Sequence, residues 1–416
     1  MSSGVPVRPH RSAGPPPPAR SIVPGLVAVA TAVGSTGLAA GGTAGPLVAT
    51  AMTGSAALAG VPVAMNLAGQ AGAALVLSRL AALGRRGPGL ALGFAAGAGG
   101  AALVVLAATL GSFPLVLLGS VLLGAANAAV FLARYAAAAA VPPDRRGRAL
   151  GRVLFATAAG AIASPMLLSP GGAVAAGAGL LRPAGAYLVA ILAFGAAALM
   201  FGALSRFGAS AASLSSGLPE ESPAGGTLKA LRSSRALPAV AALAVTNFAM
   251  VGFMTVAPVH LDVGGDGLTV VGVVVALHVV FMFCPSLVTG ALADRYHPGY
   301  LIAAGGVVLL AGGLLGVLAG GHDPVLMTGH LVLVGLGWNG GVVGGSALLG
   351  RTASPELRTR LEGIGEAAMG VAAGVAAPLA GLVSVLGGYQ GLAATLAVFS
   401  AAGLAVVCSR LRRRLP

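Results

Sequence analysis

The sequence predicts an all-α polytopic membrane protein, twelve transmembrane helices arranged as two parallel-repeat six-helix bundles. Three observations predict it. Of 416 residues, 57% are hydrophobic and 8% charged, against about 25% charge in a soluble domain; mean hydropathy is +0.95. Apolar runs of about 20 residues, each enough to cross a ~30 Å hydrocarbon core as a helix, recur along the chain. Finally, a charged pattern at 143–151, PDRRGRALG, returns 212 positions later at 355–363 as PELRTRLEG.

The elements follow in order. Residues 1–23 are polar, basic and Pro-rich, the composition of a disordered tail. No small-residue cleavage site follows, so the next segment reads as a permanent helix rather than a signal peptide. Apolar segments then fall at 24–49, 57–83, 88–110, 113–140, 148–169 and 184–206, the N-terminal bundle (24–206). The fifth and sixth are the least distinct, because the glycine-rich SPGGAVAAGAG lies between them. A polar linker occupies 207–236. Six more segments, at 237–260, 268–292, 299–319, 324–350, 361–385 and 389–409, make the C-terminal bundle (237–409), and 410–416 is a basic tail. Ala and Gly supply much of the apolar length, with 67 Gly. Such small residues let helices approach closely in lipid.

Twelve crossings put both ends on one side, and the basic residues say which. Of 24 Lys and Arg, 22 fall in the tails and alternate loops of one side; Arg182 is in an opposite loop and Arg134 is within span 4. Lys and Arg stay cytoplasmic during insertion, so both termini are expected inside a cell inner (plasma) membrane. The net charge of +14 then reflects topology and anionic lipid. No nucleic-acid partner is needed.

The chain has four asparagines, and Asn127 and Asn339 are also 212 apart, in spans 4 and 10. A rare polar residue and a charged loop sharing one offset indicate a duplicated six-helix unit. Both copies start on the same side, so the repeat is parallel.

Here the chain resembles the major facilitator superfamily, from about residue 24 to 409, with a leaning toward its bacterial drug:proton-antiporter-like branch. That family's signature after spans 2 and 8 is roughly G-x-L-x-D-R-x-G-R-R. The later copy, GALADRYHPG, keeps Gly290, Leu292, Asp294 and Arg295; the earlier, LSRLAALGRRGPG, keeps Gly84, Arg85 and Arg86 but has alanine where the acid belongs. The resemblance implies alternating access, with Asp294 facing the N-terminus of span 5 near Arg146 and Arg148, across the interface between the halves. The helix dipole favours a carboxylate there. The alternative is a loop charge that only enforces topology. In the first half, Glu362 or Glu366 on span 11 is expected to face Arg85 or Arg86, and Arg358 and Arg360 complete the set. A fifth-span motif of the family's antiporters, G-x-x-x-G-P-x-x-G, is partly matched by Gly160, Ser164 and Pro165, which leans toward export; the alternative is a packing kink.

Charge at membrane depth costs about 2.5–3.5 kcal/mol on insertion scales. Arg134 is therefore a substrate-path candidate, with snorkelling to the inner interface as its alternative. Asn127, Asn247, Trp338 and Asn339 are candidate cavity hydrogen-bonders or, equally, helix–helix contacts. For proton coupling the order is Glu366, Glu362 as its i, i+4 neighbour, then His278; His260 and His330 lie nearer the outer face. The alternatives are a charged first helical turn for the acids and a packing role for His278.

Nothing legible points to an enzyme. Cys284 and Cys408 fall in different spans, and no phosphate-cradling loop precedes a helix. No cofactor or metal is expected, and the chain reads as a monomer in the bilayer carrying a small molecule. The leading expectation is a proton-coupled exporter of an amphipathic or drug-like compound; the other is a facilitator or symporter importing a small metabolite.

Overall fold

The computed structural model describes residues 19–38, 40–54, 58, 60–207, 236–263, 267–319, 323–351 and 355–412, and every regular element among them is a helix. The expected linker and most of both expected tails lie outside the described residues.

Six helices are unbroken crossings: Val61–Ala82 (span 2), Arg86–Leu110 (span 3), Phe113–Ala139 (span 4), Gly185–Phe207 (span 6), Pro298–Ala319 (span 9) and Pro324–Gly350 (span 10). Span 7 is Ala236–Val263. The remaining crossings are interrupted, and each break has a cause in the sequence. Span 1, Ala19–Ser35, gives way to a π-helical turn at Ala40–Ala44 and then Gly45–Thr53, where a glycine run is followed by Pro46. Span 5, Arg146–Met166, bends into Leu168–Gly177 by 49°. Pro165 has no N–H to donate one turn back, and Pro170 sits in the first turn of the next piece, where no donor is needed. The indistinct fifth segment is thus a bent helix. Span 8 joins Gly267–Phe283 to Ser286–Arg295 around Pro285.

Pro355–Arg412 runs continuously except at Gly388, whose φ of 64° and ψ of −170° break it into spans 11 and 12. A side chain there would be strained, and glycine is not. Gly111, at φ 66°, ends span 3 in the same left-handed way before Phe113 begins span 4. Span 10 is capped by Asp323, which accepts from the amides of Val325 (2.8 Å) and Leu326 (3.2 Å).

Small residues set the packing. Gly100 and Gly119 bring the backbones of spans 3 and 4 together, and Gly305 does the same against Gly337 and Gly340 between spans 9 and 10. Aromatic bulk is confined to a few clusters, such as Phe94 stacked on Phe201 at 5.5 Å. The halves meet where span 2 lies along span 11 and span 5 along span 8. Those contacts converge on the end carrying Arg85, Arg86, Arg146 and Arg351, hereafter the basic end.

Candidate functional site

The second-half signature does at the basic end what its chemistry predicts. Span 8 ends at Arg295, so Asp294 projects from its last turn. Span 5 begins at Arg146, leaving its first amides without partners inside the helix. Asp294 Oδ1 accepts from the Gly147 amide at 2.6 Å and Oδ2 from the Arg148 amide at 2.9 Å. Two charge-assisted bonds therefore join the halves at a helix N-terminus. Gly290 makes this approach possible: a Cβ on it would fall on the Gly147 carbonyl, and a Cβ on Gly147 would fall on the Gly290 carbonyl. Arg148 contributes its backbone, while its side chain is exposed. Arg295 is exposed and lies over the Tyr296 ring at 5.5 Å.

The first half closes differently. Its counterpart of Asp294 is Ala82, and the charge is reversed across the interface. Arg86, buried at the start of span 3, donates from Nη2 to Glu362 Oε2 at 3.0 Å and to Thr359 Oγ1 at 2.9 Å on span 11. Arg358 Nε lies 3.7 Å from the other oxygen of Glu362. Arg85 is exposed and Arg360 half-buried. Of the four expected pairings between Arg85 or Arg86 and Glu362 or Glu366, the structure forms Arg86–Glu362.

Glu366, one turn deeper, pairs instead with Arg134, and both side chains have no exposed surface. Arg134 does not snorkel. Its Nε donates to Ser346 Oγ at 3.1 Å, Nη1 to the Phe131 carbonyl at 2.6 Å and Nη2 to Tyr135 Oη at 3.1 Å as well as to Glu366. Tyr135 donates onward to Ser346 at 3.2 Å. Span 4 of one half is thereby tied to spans 10 and 11 of the other by one buried cation and one buried carboxylate. Glu366 Oε2 has no hydrogen-bond partner among the described residues. Between this network and the basic end lies a cavity of about 440 Å³ whose lining includes Tyr135, Ser346, Glu362 and Arg146.

The polar residues expected to face a cavity are placed otherwise. Asn339 is fully buried and donates to Ser286 Oγ (2.6 Å) and the Met282 carbonyl (2.9 Å) while accepting from Thr289 (2.7 Å). Trp338 Nε1 donates to Asn247 Oδ1 at 2.9 Å, and Asn247 donates to the Met369 carbonyl at 2.9 Å. These three hold spans 7, 8, 10 and 11 together. Trp338 and Asn339 are buried in a span covered by protein over most of its surface, which leaves them helix neighbours to bond. Asn127, half-buried, donates to Asn66 Oδ1 at 2.7 Å between spans 4 and 2. In this structure Asn247, Trp338 and Asn339 make helix–helix hydrogen bonds, the second of the two readings given for them.

His278 lies buried between spans 8 and 10, its Nδ1 2.8 Å from the Leu331 carbonyl. Its span 10 partner, Leu331, lies 15 positions before Ser346, the residue of that span in the Arg134 network. Gly160 packs on Ala32 and Ser35 of span 1, and Ser164 donates to the Thr36 carbonyl at 2.7 Å; Pro165 enters only through the backbone bend already described.

Residues that sequence reasoning did not single out are Ser346, Tyr135, Thr359 and Asn66. One signal was available: Ser346 stands 212 positions from Arg134, so the repeat alone places it opposite.

Comparison with known proteins agrees with this architecture. Residues 26–344 and 267–416 match the family model described as Major Facilitator Superfamily. Two Bacillus subtilis proteins, both uncharacterized MFS-type transporters, are similar over nearly the whole chain. YddS is 32% identical over 91% of this chain and 88% of its own, and YdeG 30% over 88% and 86%. The riboflavin transporter RfnT of Brucella anthropi is 31% identical over 32% of this chain and 33% of its own. Among solved structures, the Escherichia coli fucose:proton symporter FucP superposes with a TM-score of 0.71 at 17% identity, covering 96% of this chain and all of that one. The human organic anion transporter MFSD10 gives 0.69 at 19%, over 94% and 100%. A twelve-span, twice-repeated bundle closed at its basic end, and a family model that spans both halves, lead to one conclusion: the chain belongs to the Major Facilitator Superfamily and is a multi-pass membrane transporter of that family.

Proposed function

We propose that this protein is a proton-coupled secondary transporter working by alternating access, and that its leading direction is export of a small amphipathic or drug-like compound from the cytoplasm. The observation that carries the coupling is the Arg134–Glu366 pair, buried and spanning the two halves. Protonating Glu366 removes the charge that holds Arg134. An uncompensated buried guanidinium is unfavourable, so the halves part at the basic end, and deprotonation lets them close. Sidedness follows the positive-inside rule: the basic end is cytoplasmic, with both termini inside. Asp294 on the span 5 amides and Glu362 on Arg86 are the gate that separates with each cycle.

Export is supported by the span 5 bend and the packing of Gly160 and Ser164 on span 1. The second reading, import of a small metabolite, is favoured by the partial similarity to a riboflavin transporter.

Purified protein in proteoliposomes with an imposed proton gradient tests both, across amphipathic cations, flavins and other heteroaromatics. Gradient-driven accumulation is expected, and Glu366→Gln is expected to abolish it while retaining substrate exchange without a gradient. Flux that ignores the gradient for every transported compound overturns coupling, and the side from which the gradient drives accumulation decides direction.

A further inference from the structure

Among the described residues, the cavity at the basic end is lined by three guanidinium groups, Arg146, Arg351 and Arg358, and three carboxylates, Asp144, Asp294 and Glu362, of which Glu362 alone is paired with a guanidinium of the wall. Glu362 is shared by Arg86 at 3.0 Å and Arg358 at 3.7 Å. Arg146, brought from the first half by span 5, lines the same cavity as Arg358 and Glu362. Its Nη1 bonds at 3.4 Å to the Gly350 carbonyl, and its Nε is buried with no partner among the described residues. Arg146 of the first half and Arg358 of the second thus share one wall with Glu362. The other two carboxylates in the lining are engaged elsewhere. Asp294 has each oxygen on an amide of span 5, and Asp144 is exposed beside Arg145 at 3.8 Å. Arg351, at the end of span 10, adds a further cation to the wall.

Closing the basic end therefore brings Arg146 and Arg358, from opposite halves, to the wall of one cavity of about 440 Å³. Like charges in a partly desolvated site repel far more than in water, and an Arg fork with free N–H groups matches the oxygens of an oxyanion.

We propose that this cavity binds a phosphate-type oxyanion, either a lipid phosphodiester headgroup or free inorganic phosphate, bridging Arg146 and Arg358 and holding the basic end closed. The anion binds one arrangement of the halves and loses its bidentate partners when they separate, so it stabilises that arrangement by linkage. Binding itself needs neither proton coupling nor a direction of transport. Its conformational effect rests on the alternating-access reading, and the two are read separately below.

The test is thermal unfolding of the full chain in a neutral detergent. Inorganic phosphate is compared with chloride at equal ionic strength, and short-chain phosphatidylglycerol with phosphatidylcholine. A rise of about 2 °C is expected at roughly tenfold the half-saturating concentration of the active species. Arg146→Gln and Arg358→Gln should each abolish the rise, and Arg146→Lys, which keeps the charge but loses the fork, should weaken it. If a glutamine variant fails to fold, the lysine variant still reports.

A phosphate-specific rise assigns the free anion, and a phosphatidylglycerol-specific rise assigns the headgroup. No rise with either, or a rise unchanged in all three variants, overturns the proposal. Maleimide labelling of Ala138→Cys, in the cavity wall, reads the conformational arm. A rise without slower labelling keeps the site and rejects the link to closure.

Discussion

At the scale of single residues, the Arg134–Glu366 pair sets the terms. Burying both charges costs desolvation that their attraction only partly returns, so the pair is weak evidence for stability, whereas removing one partner is expensive. Arg134→Ala should destabilise the protein by about 3–5 kcal/mol, and Arg134→Ala with Glu366→Ala should recover most of that loss. Thermal unfolding of the two single variants and the double completes the cycle; a double variant no better than the singles would show that the two charges do not compensate each other. Arg134 stands out in the sequence as charge at membrane depth, and Glu366 as an acid near the start of span 11. Their pairing was not legible, because one lies on span 4 and the other on span 11, and only the packing of the halves decides which arginine meets which acid. The asparagines show the converse limit. Their rarity marks them as meaningful, but a polar atom in a helix reads the same whether it faces a cavity or the next helix. Asn339 proves to face Ser286 and Thr289.

At the scale of elements, the span 5–span 8 contact rests on a carboxylate at a helix N-terminus and two glycines that let the backbones touch. The motif GALADR made this element legible through the family resemblance it carries, which implies that Asp294 faces the first turn of span 5. The first-half counterpart was less so: alanine replaces the acid, and its role passes to Arg86 acting on Glu362 from the opposite side of the interface. Asp294→Ala leaves the Gly147 and Arg148 amides without their acceptor. The basic end should then open more often, and a maleimide should modify Ala138→Cys severalfold faster than in the Asp294 background. Asp294→Asn keeps one oxygen acceptor in place and should fall between the two. Equal rates in all three would mean that the amide bonds do not govern closure.

At the scale of the whole molecule, one offset relates contacts as well as sequence. Gly151 on span 5 packs against Ser286 and Gly290 of span 8; Gly363 on span 11 packs against Ala74 and Ser78 of span 2. Each member of the second set is 212 positions from its partner in the first. The repeat read from two charged loops thus describes the interface itself, and Arg134 and Ser346, also 212 apart, bond to one another where the halves meet. The breaks in spans 1 and 5 were beyond the reach of that pattern: Pro46 is repeated at Pro258 and Pro165, one position out of register, at Pro378, yet spans 7 and 11 run through those prolines as continuous helix.

The shared geometry predicts parallel defects. A Cβ at Gly151 meets the Ser286 backbone carbonyl, which no substitution removes; a Cβ at Gly363 meets Oγ and Cβ of Ser78, which a substitution can remove. Gly151→Ala and Gly363→Ala should therefore both prop the basic end open, and the second alone can be relieved by changing a side chain. The check is the distance between spin labels at Arg85 and Tyr300, exposed positions on opposite halves, in a chain with Cys284 and Cys408 replaced by serine. Both variants should lengthen it relative to the parent. Ser78→Gly with Gly363→Ala should bring it back toward the parent distance, because it removes the Oγ and Cβ that the new methyl meets. A distance unchanged in both single variants would show that these two contacts, though related by one offset, do not bear closure in the way their neighbours imply.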